Sequence, residues 1–90
     1  MNDRVNTIRT VLEASLHPLE LEIHDDSAAH AGHAGAQQGG GHFSVYIVAE
    51  AFEGKTLVQR HQLVYQALGD LMRSEIHALM IKALTPNELT

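Results

Sequence analysis

Histidine is the residue type of this chain with the clearest capacity for chemistry. Seven histidines occur among 90 residues, while cysteine is absent. Four of the seven lie in the segment HDDSAAHAGHAGAQQGGGHF, which runs from His24 to Phe43. Neutral imidazole is a good ligand for zinc, copper, nickel and iron. Metal binding in which this chain contributes no thiolate is therefore one function that the sequence allows.

The spacing of the loop histidines is a weak motif when taken alone. His30 and His33 stand three residues apart, with Gly32 and Gly35 beside them. Glycine neighbours let the backbone bend, so that an imidazole can reach outward. A zinc or nickel site through His30, His33 and His42 is one interpretation. A polar hairpin whose histidines bind nothing fits the same residues, because no further ligand follows at a diagnostic distance.

The other histidines have different sequence contexts. His77 begins the last predicted strand with the same facing as Leu79 and Ile81, which allows either simple packing or projection towards a cleft. His61 lies on the apolar stripe of a predicted helix, a position typical of a core histidine bonded to the backbone. His42 precedes a strand, where we expect a structural role at the end of the sheet.

Sequence motifs of catalysis are absent. The chain has no cysteine nucleophile, no GxSxG elbow and no HExxH helix. Asp25 and Asp26 are adjacent and would point to opposite faces of an extended chain, so they do not form an acid–base pair. The sequence predicts a binding protein and not an enzyme.

Length and charge restrict the partners. Ninety residues predict a single domain over residues 1–90. The net charge is −5 and the six Lys and Arg residues are scattered, which disfavours strong binding to nucleic acid.

No apolar run approaches the ~20 residues of a membrane span. The N-terminal segment carries Asp3 and Glu13 and lacks the pattern of a signal peptide, so we expect a cytoplasmic protein with no membrane partner.

Apolar patterns predict three strands. LELEIH, residues 19–24, alternates with a period of two and places Leu19, Leu21 and Ile23 on one face. HFSVYIVAE, residues 42–50, has strong β propensity and forms the second strand. IHALMIKAL, from Ile76 to Leu84, predicts a short buried strand, which a terminal turn follows. The first two strands are joined by a long His- and Gly-rich loop, residues 25–41, of a length that is generally functional or flexible.

Helical spacing predicts two helices. The first ends before Pro18, which cannot continue a helix. The second begins near Thr56, because Thr56 and Gln59 have capping-box spacing, and ends near Arg73. Gly69 lies within it and costs roughly 1 kcal/mol relative to Ala. The apolar stripe of the second helix consists of Leu57, His61, Val64, Leu68 and Leu71.

The predicted order is α-β-β-α-β, an α/β (α+β) domain. A strand–helix–strand passage usually makes a parallel, right-handed crossover. We therefore expect a three-stranded mixed sheet with both helices stacked on one face.

A resemblance to a known family is carried by three segments, DDSAAHAGHAG, HFSVYIVAEAFEGKTLVQRHQLVYQAL and IHALMIKALTP. With these segments, nearly the whole chain from Leu21 to Pro86 resembles the BolA family. Its most specific parts are Phe52-Glu53-Gly54, the run Arg60-His61-x-x-Val64-Tyr65, and Ile76-His77-Ala78-Leu79. It implies a small domain similar to the class II KH fold.

The resemblance also implies a function. BolA-like proteins pair with cytosolic monothiol glutaredoxins and share a [2Fe–2S] cluster with them in iron–sulfur trafficking and iron homeostasis. The family's ligand at the start of the last strand falls on His77, and a second ligand from the loop falls on His30, with His33 as the alternative. The other iron would be held by the partner's cysteine and by glutathione.

DNA binding is the alternative function that the resemblance implies. The family has been described as DNA-binding through the second helix and the turn before it. In this sequence the corresponding residues are Lys55, Arg60, His61 and Tyr65. The acidic net charge of −5 argues against strong affinity.

Overall fold

A computed structural model describes residues 3–26 and 41–89. Within these ranges the elements are α1 (Asp3–Leu16), β1 (Glu20–Asp25), β2 (Gly41–Val48), a 3₁₀ turn (Glu50–Phe52), α2 (Leu57–Leu68), α3 (Leu71–Ser74), β3 (Ile76–Leu84) and a final 3₁₀ turn (Pro86–Leu89). β2 is the central strand, antiparallel to β1 and parallel to β3. The predicted order and the mixed three-stranded sheet are confirmed. The bounds of β3 match the prediction.

The core lies between one face of the sheet and the two long helices. Every second residue of β2 is buried on that face, because successive side chains of a strand point to opposite sides. α1 and α2 bury their apolar stripes against it. The fully or almost fully buried core side chains include Ile8, Leu12, Phe43, Val45, Ile47, Phe52, Val64 and Leu68. Leu19 does not belong to this core as predicted: it precedes β1 and is 63% exposed.

The start of α2 agrees with the sequence, but its end does not. Thr56 and Gln59 form the predicted reciprocal capping box. The helix was expected to continue to Arg73, and this prediction is wrong. It ends at Leu68, because Gly69 adopts φ 52° and ψ −122°, a conformation that residues with a Cβ rarely adopt. The chain then starts the separate short helix α3.

A β-bulge lies where β3 begins. Gly41 of β2 pairs with Ile76, but the next residue, His42, pairs with Ala78, so that His77 is an extra residue in β3. Leu79 then packs towards the core, whereas His77 is exposed. The prediction that His77 shares the facing of Leu79 is therefore wrong, since the bulge interrupts the period of two.

Candidate metal centre

The imidazole of His77 is exposed at the bulge where β3 begins. The start of this strand is fixed to the start of β2 by a backbone hydrogen bond, in which Gly41 N–H donates to the carbonyl of Glu75 at 2.9 Å. An exposed ring on a backbone held in this way can meet a metal that another molecule presents. The sequence left open whether His77 packs against its neighbours or projects towards a cleft, and in the structure the ring is exposed.

His42 lies beside His77. The centroids of the two rings are 5.1 Å apart and the ring planes are inclined by 40°. His42 is half-buried at the second residue of β2, where its carbonyl accepts a hydrogen bond of 2.7 Å from Asp26 N–H. Sequence reasoning gave His42 a structural role, or a place in a zinc or nickel site with His30 and His33, and it missed the contact with His77. The predicted parallel crossover could have indicated this contact, because it brings the starts of β2 and β3 to the same end of the sheet.

The donor set of this centre is small. In the part of the chain that the structure describes, no group of three or more His, Asp or Glu side chains could hold a metal ion. A metal bound by His42 and His77 would thus need ligands from elsewhere. The predicted loop ligands His30 and His33 lie outside the described residues, and their role stays a prediction.

Arg60 is buried, in contrast to the exposed cation expected for nucleic-acid contact. Its Nε donates to the carbonyl of Lys55 at 3.0 Å, and its Nη1 donates to the carbonyl of Ala83 at 3.0 Å. Nη1 and Nη2 donate to the two carboxylate oxygens of Glu88 at 2.7 and 3.0 Å. The guanidinium thus joins α2 to the end of β3 and to the final turn. These contacts engage Nε, Nη1 and Nη2 within the protein, so Arg60 is a buried cation and not an exposed one. Its role in nucleic-acid binding stays a prediction.

This ion pair changes the acid–base properties of both partners. The hydrogen bonds from Arg60, and then the backbone N–H of Thr85, lower the pKa of Glu88 from 4.5 to about 2. The carboxylate in turn raises the pKa of Arg60. Glu88 is therefore the charged partner that makes the burial of Arg60 tolerable.

The remaining residues of the expected nucleic-acid surface are at least partly exposed. Lys55 is exposed, Tyr65 is 41% exposed, and His61 is half-buried. His61 is thus not the fully buried core histidine that its helical position indicated. His61 and Tyr65 line a groove of about 400 Å³. Other lining residues, from β2 and β3, are Ser44, Tyr46, Met80 and Lys82.

None of the helices among the described residues has the length and apolar character needed to cross a bilayer. The predicted cytoplasmic location stays a prediction.

Known proteins share both the sequence and the fold of this chain. The family model described as BolA-like protein matches residues 12–88. SufE-like protein 1, chloroplastic/mitochondrial, of Arabidopsis thaliana is 46% identical over 94 residues, a match that covers 99% of this chain but only 25% of that relative. The DNA-binding transcriptional regulator BolA of Escherichia coli is 32% identical, with 90% of this chain and 74% of the relative covered.

The solved structure of the BolA domain of SufE1 from Arabidopsis thaliana superimposes with a TM-score of 0.85 at 47% identity, covering 98% of both chains. The matching family model, the identities and the shared fold lead to one conclusion: this chain belongs to the BolA-like family.

Proposed function

We propose that this protein is a BolA-like partner of a monothiol glutaredoxin, and that the two proteins share a [2Fe–2S] cluster in iron–sulfur trafficking or iron homeostasis. The observation that carries the proposal is the exposed imidazole of His77 at the start of β3. Membership of the BolA-like family supports it. The protein acts in this proposal by binding and not as an enzyme.

The residues of this chain fit a shared cluster better than a resident one. The chain has no cysteine, and a [2Fe–2S] cluster held by one protein usually needs cysteine thiolates. Two neutral imidazoles at one iron are chemically sound, because Rieske centres bind one of their irons in this way. His77 would be the first of the two imidazoles, and the sequence predicts the second to be His30 or His33. The partner's cysteine and glutathione would hold the other iron.

The test is reconstitution of the cluster from the two proteins. The protein is mixed with a monothiol glutaredoxin, glutathione, iron and sulfide, and visible absorption and circular dichroism are recorded. We expect His77→Ala to change the cluster spectrum. The matched control is His17→Asn, which removes an exposed histidine of φ 49° at the other end of the sheet and replaces it by a residue that tolerates positive φ. An unchanged spectrum for His77→Ala would contradict the proposal.

A DNA-binding regulator is the second candidate, favoured by the name of the Escherichia coli relative. Lys55 is an exposed cation just before α2, and Tyr65 is partly exposed on that helix. We expect Lys55→Ala to weaken duplex binding and to reduce its salt dependence by up to about 0.9 in log–log slope. Arg73→Ala, which removes an exposed cation of α3, is the control. If gel shifts at physiological salt show no sequence-dependent retardation, this candidate fails.

A further inference from the structure

We propose that the free edge of β3 binds an extended acidic peptide of a partner protein, which joins the sheet as a further strand. Among the described residues the strand order is β1-β2-β3, so β3 lies at one side of the sheet. An edge strand leaves a row of backbone N–H and C=O groups that can pair with a segment of another chain. This surface lies in the middle of β3, away from His77, and its use does not depend on a cluster.

Two hydrogen bonds near the end of β3 show which backbone groups face the free edge. The carbonyl of Leu84 accepts a hydrogen bond of 3.0 Å from Ala49 N–H, directly after β2, so Leu84 faces β2. The carbonyl of Ala83 accepts a hydrogen bond of 3.0 Å from Nη1 of Arg60 instead. Because neighbouring residues of a strand direct their backbone groups to opposite sides, Ala83 faces the free edge.

Leu79 and Ile81 have the same direction as Ala83, since they are separated from it by an even number of positions in regular pairing. In the part of the chain that the structure describes, no other group forms a hydrogen bond with their N–H and C=O groups on this edge. Each of the two residues thus offers one donor and one acceptor. Arg60 occupies the next carbonyl, so the open stretch ends before Ala83.

The groove of about 400 Å³ lies beside this stretch, and Leu79 and Ile81 line it. Its other lining residues include side chains from both faces of the sheet. Met80 and Lys82 are exposed on the face without helices, and Tyr65 belongs to α2 on the other face. A strand added next to β3 would point successive side chains to these two faces in turn. The shape of the groove therefore fits an extended peptide.

The charges of the groove select an acidic peptide. Lys82 and Tyr46 are direct neighbours in the pairing of β3 with β2. The ammonium of Lys82 and the hydroxyls of Tyr46 and Tyr65 have no hydrogen-bond partner among the described residues. An ammonium can only donate hydrogen bonds, and a phenol hydroxyl can also donate. A carboxylate on the added strand would accept from Lys82 and Tyr46 together.

Carboxylates of this chain contact the groove only at its β1 end, as far as the described residues show. Asp26 accepts the hydrogen bond of the Ser44 hydroxyl, and Oε1 of Glu22 lies 3.5 Å from Nε2 of His24. No Asp or Glu is among the described residues that line the groove. The donors beside β3 are therefore left for an acceptor from another molecule.

The same charges disfavour a second copy of this chain as the occupant. Pairing of β3 with β3 of another copy would bring two Lys82 side chains to one edge and would supply no carboxylate to either. Each copy also carries a net charge of −5, so the two copies repel each other. A partner with an exposed acidic segment has the complementary charge.

The first experiment uses a peptide of about six residues with blocked ends, in which Asp and Val alternate, as the probe. NMR titration measures its affinity and locates it. We expect shifted signals and slower amide exchange at Leu79 and Ile81, and weaker binding as the salt concentration rises. A protein whose Leu79 and Ile81 signals stay unchanged at saturating peptide would overturn the site.

The contribution of charge is tested with variants of both molecules. Lys82→Gln should weaken binding of the peptide about two- to fivefold, whereas Arg73→Gln, which removes an exposed cation on α3, should leave it unchanged. A peptide in which Lys replaces Asp should bind more weakly than the acidic one. Equal affinity of the two peptides, or of the protein and its Lys82→Gln variant, would overturn the preference for an acidic partner.

The second experiment tests strand addition by N-methylation of alternate amides of the peptide. One set of amides would face β3, and its methylation should abolish binding. The other set would face solvent, and its methylation should be tolerated, so the two methylated peptides form a matched pair. Equal loss, or no loss, for both sets would show that the peptide does not pair with the edge.

Other occupants would give different results. Sedimentation velocity and amide exchange are measured without peptide at rising protein concentration. Self-association that protects Leu79 and Ile81 would assign the edge to a second copy and overturn the proposal. Single-stranded oligothymidylate is the probe for nucleic acid, and tighter binding of it than of the acidic peptide at this edge would overturn the proposal as well.

Discussion

Two leucines of α2 give a direct test of how this helix packs. Leu57 and Leu68 belong to the same predicted apolar stripe, so the sequence treats them alike. In the structure Leu68 is 3% exposed and lies in the core, whereas Leu57 is 66% exposed in the first turn of the helix. The same substitution, Leu→Ala, therefore removes a core side chain at one position and a surface side chain at the other.

The expected losses differ by several-fold. Truncating a buried leucine to alanine costs about 2–5 kcal/mol, the sum of lost transfer free energy and the cavity left behind. A domain of this size has a free energy of unfolding of about 5–14 kcal/mol. Leu68→Ala should thus lower the melting temperature by at least about 8 °C. Leu57→Ala should change the stability by no more than about 0.5 kcal/mol.

Urea unfolding followed by far-UV circular dichroism measures both variants against the unmodified protein. The midpoint should fall for Leu68→Ala with little change of the slope m, which shows that stability and not the unfolded state has changed. Equal losses for the two variants would refute the packing of α2 described above, as would a larger loss for Leu57→Ala.

Three further predictions concern α2 and its contacts. The pKa of Glu88 is lowered from 4.5 to about 2 on folding, so its contribution to stability is complete above pH about 4.5 and is lost as the pH falls through about 2. The difference in urea midpoint between the unmodified protein and Glu88→Gln should shrink over that interval, and a difference independent of pH would contradict the ion pair with Arg60. Thr56→Ala removes the capping box and should cost about 1 kcal/mol in thermal unfolding, while Thr10→Ala, an exposed hydroxyl within α1, should be neutral or stabilising. Gly69→Ala forces a Cβ onto φ 52° and should cost about 1–3 kcal/mol, whereas a continuous helix through this position would be stabilised by alanine.

Local patterns in the chain predict most of the secondary structure. Strict alternation and β-branched residues place the three strands, and the spacing of Thr56 and Gln59 places the start of α2. These patterns depend on residues a few positions apart in the sequence, so they can be recognised without knowledge of the tertiary structure. The order of the elements then restricts the sheet to a mixed arrangement, because strand–helix–strand passages are usually parallel crossovers.

The same local patterns left the site incomplete. A period of two cannot indicate a bulge, because a bulge is a property of the pairing between β2 and β3 and not of β3 alone. The contact of His42 with His77 depends on that pairing. Sequence reasoning therefore placed His42 at the end of the sheet and predicted the wrong facing for the side chain of His77.

Arg60 shows most clearly the difference between the residue types that the sequence supplies and the contacts that only the tertiary structure makes. The sequence supplies a cation on a helix and an acid near the C-terminus, separated by 28 positions. Only the folded chain brings the final turn against α2, where Glu88 neutralises a guanidinium that would otherwise be costly to bury. The residue types and their local periods were encoded along the chain. The availability of each charged or ligating group was decided by which distant residues pack against it.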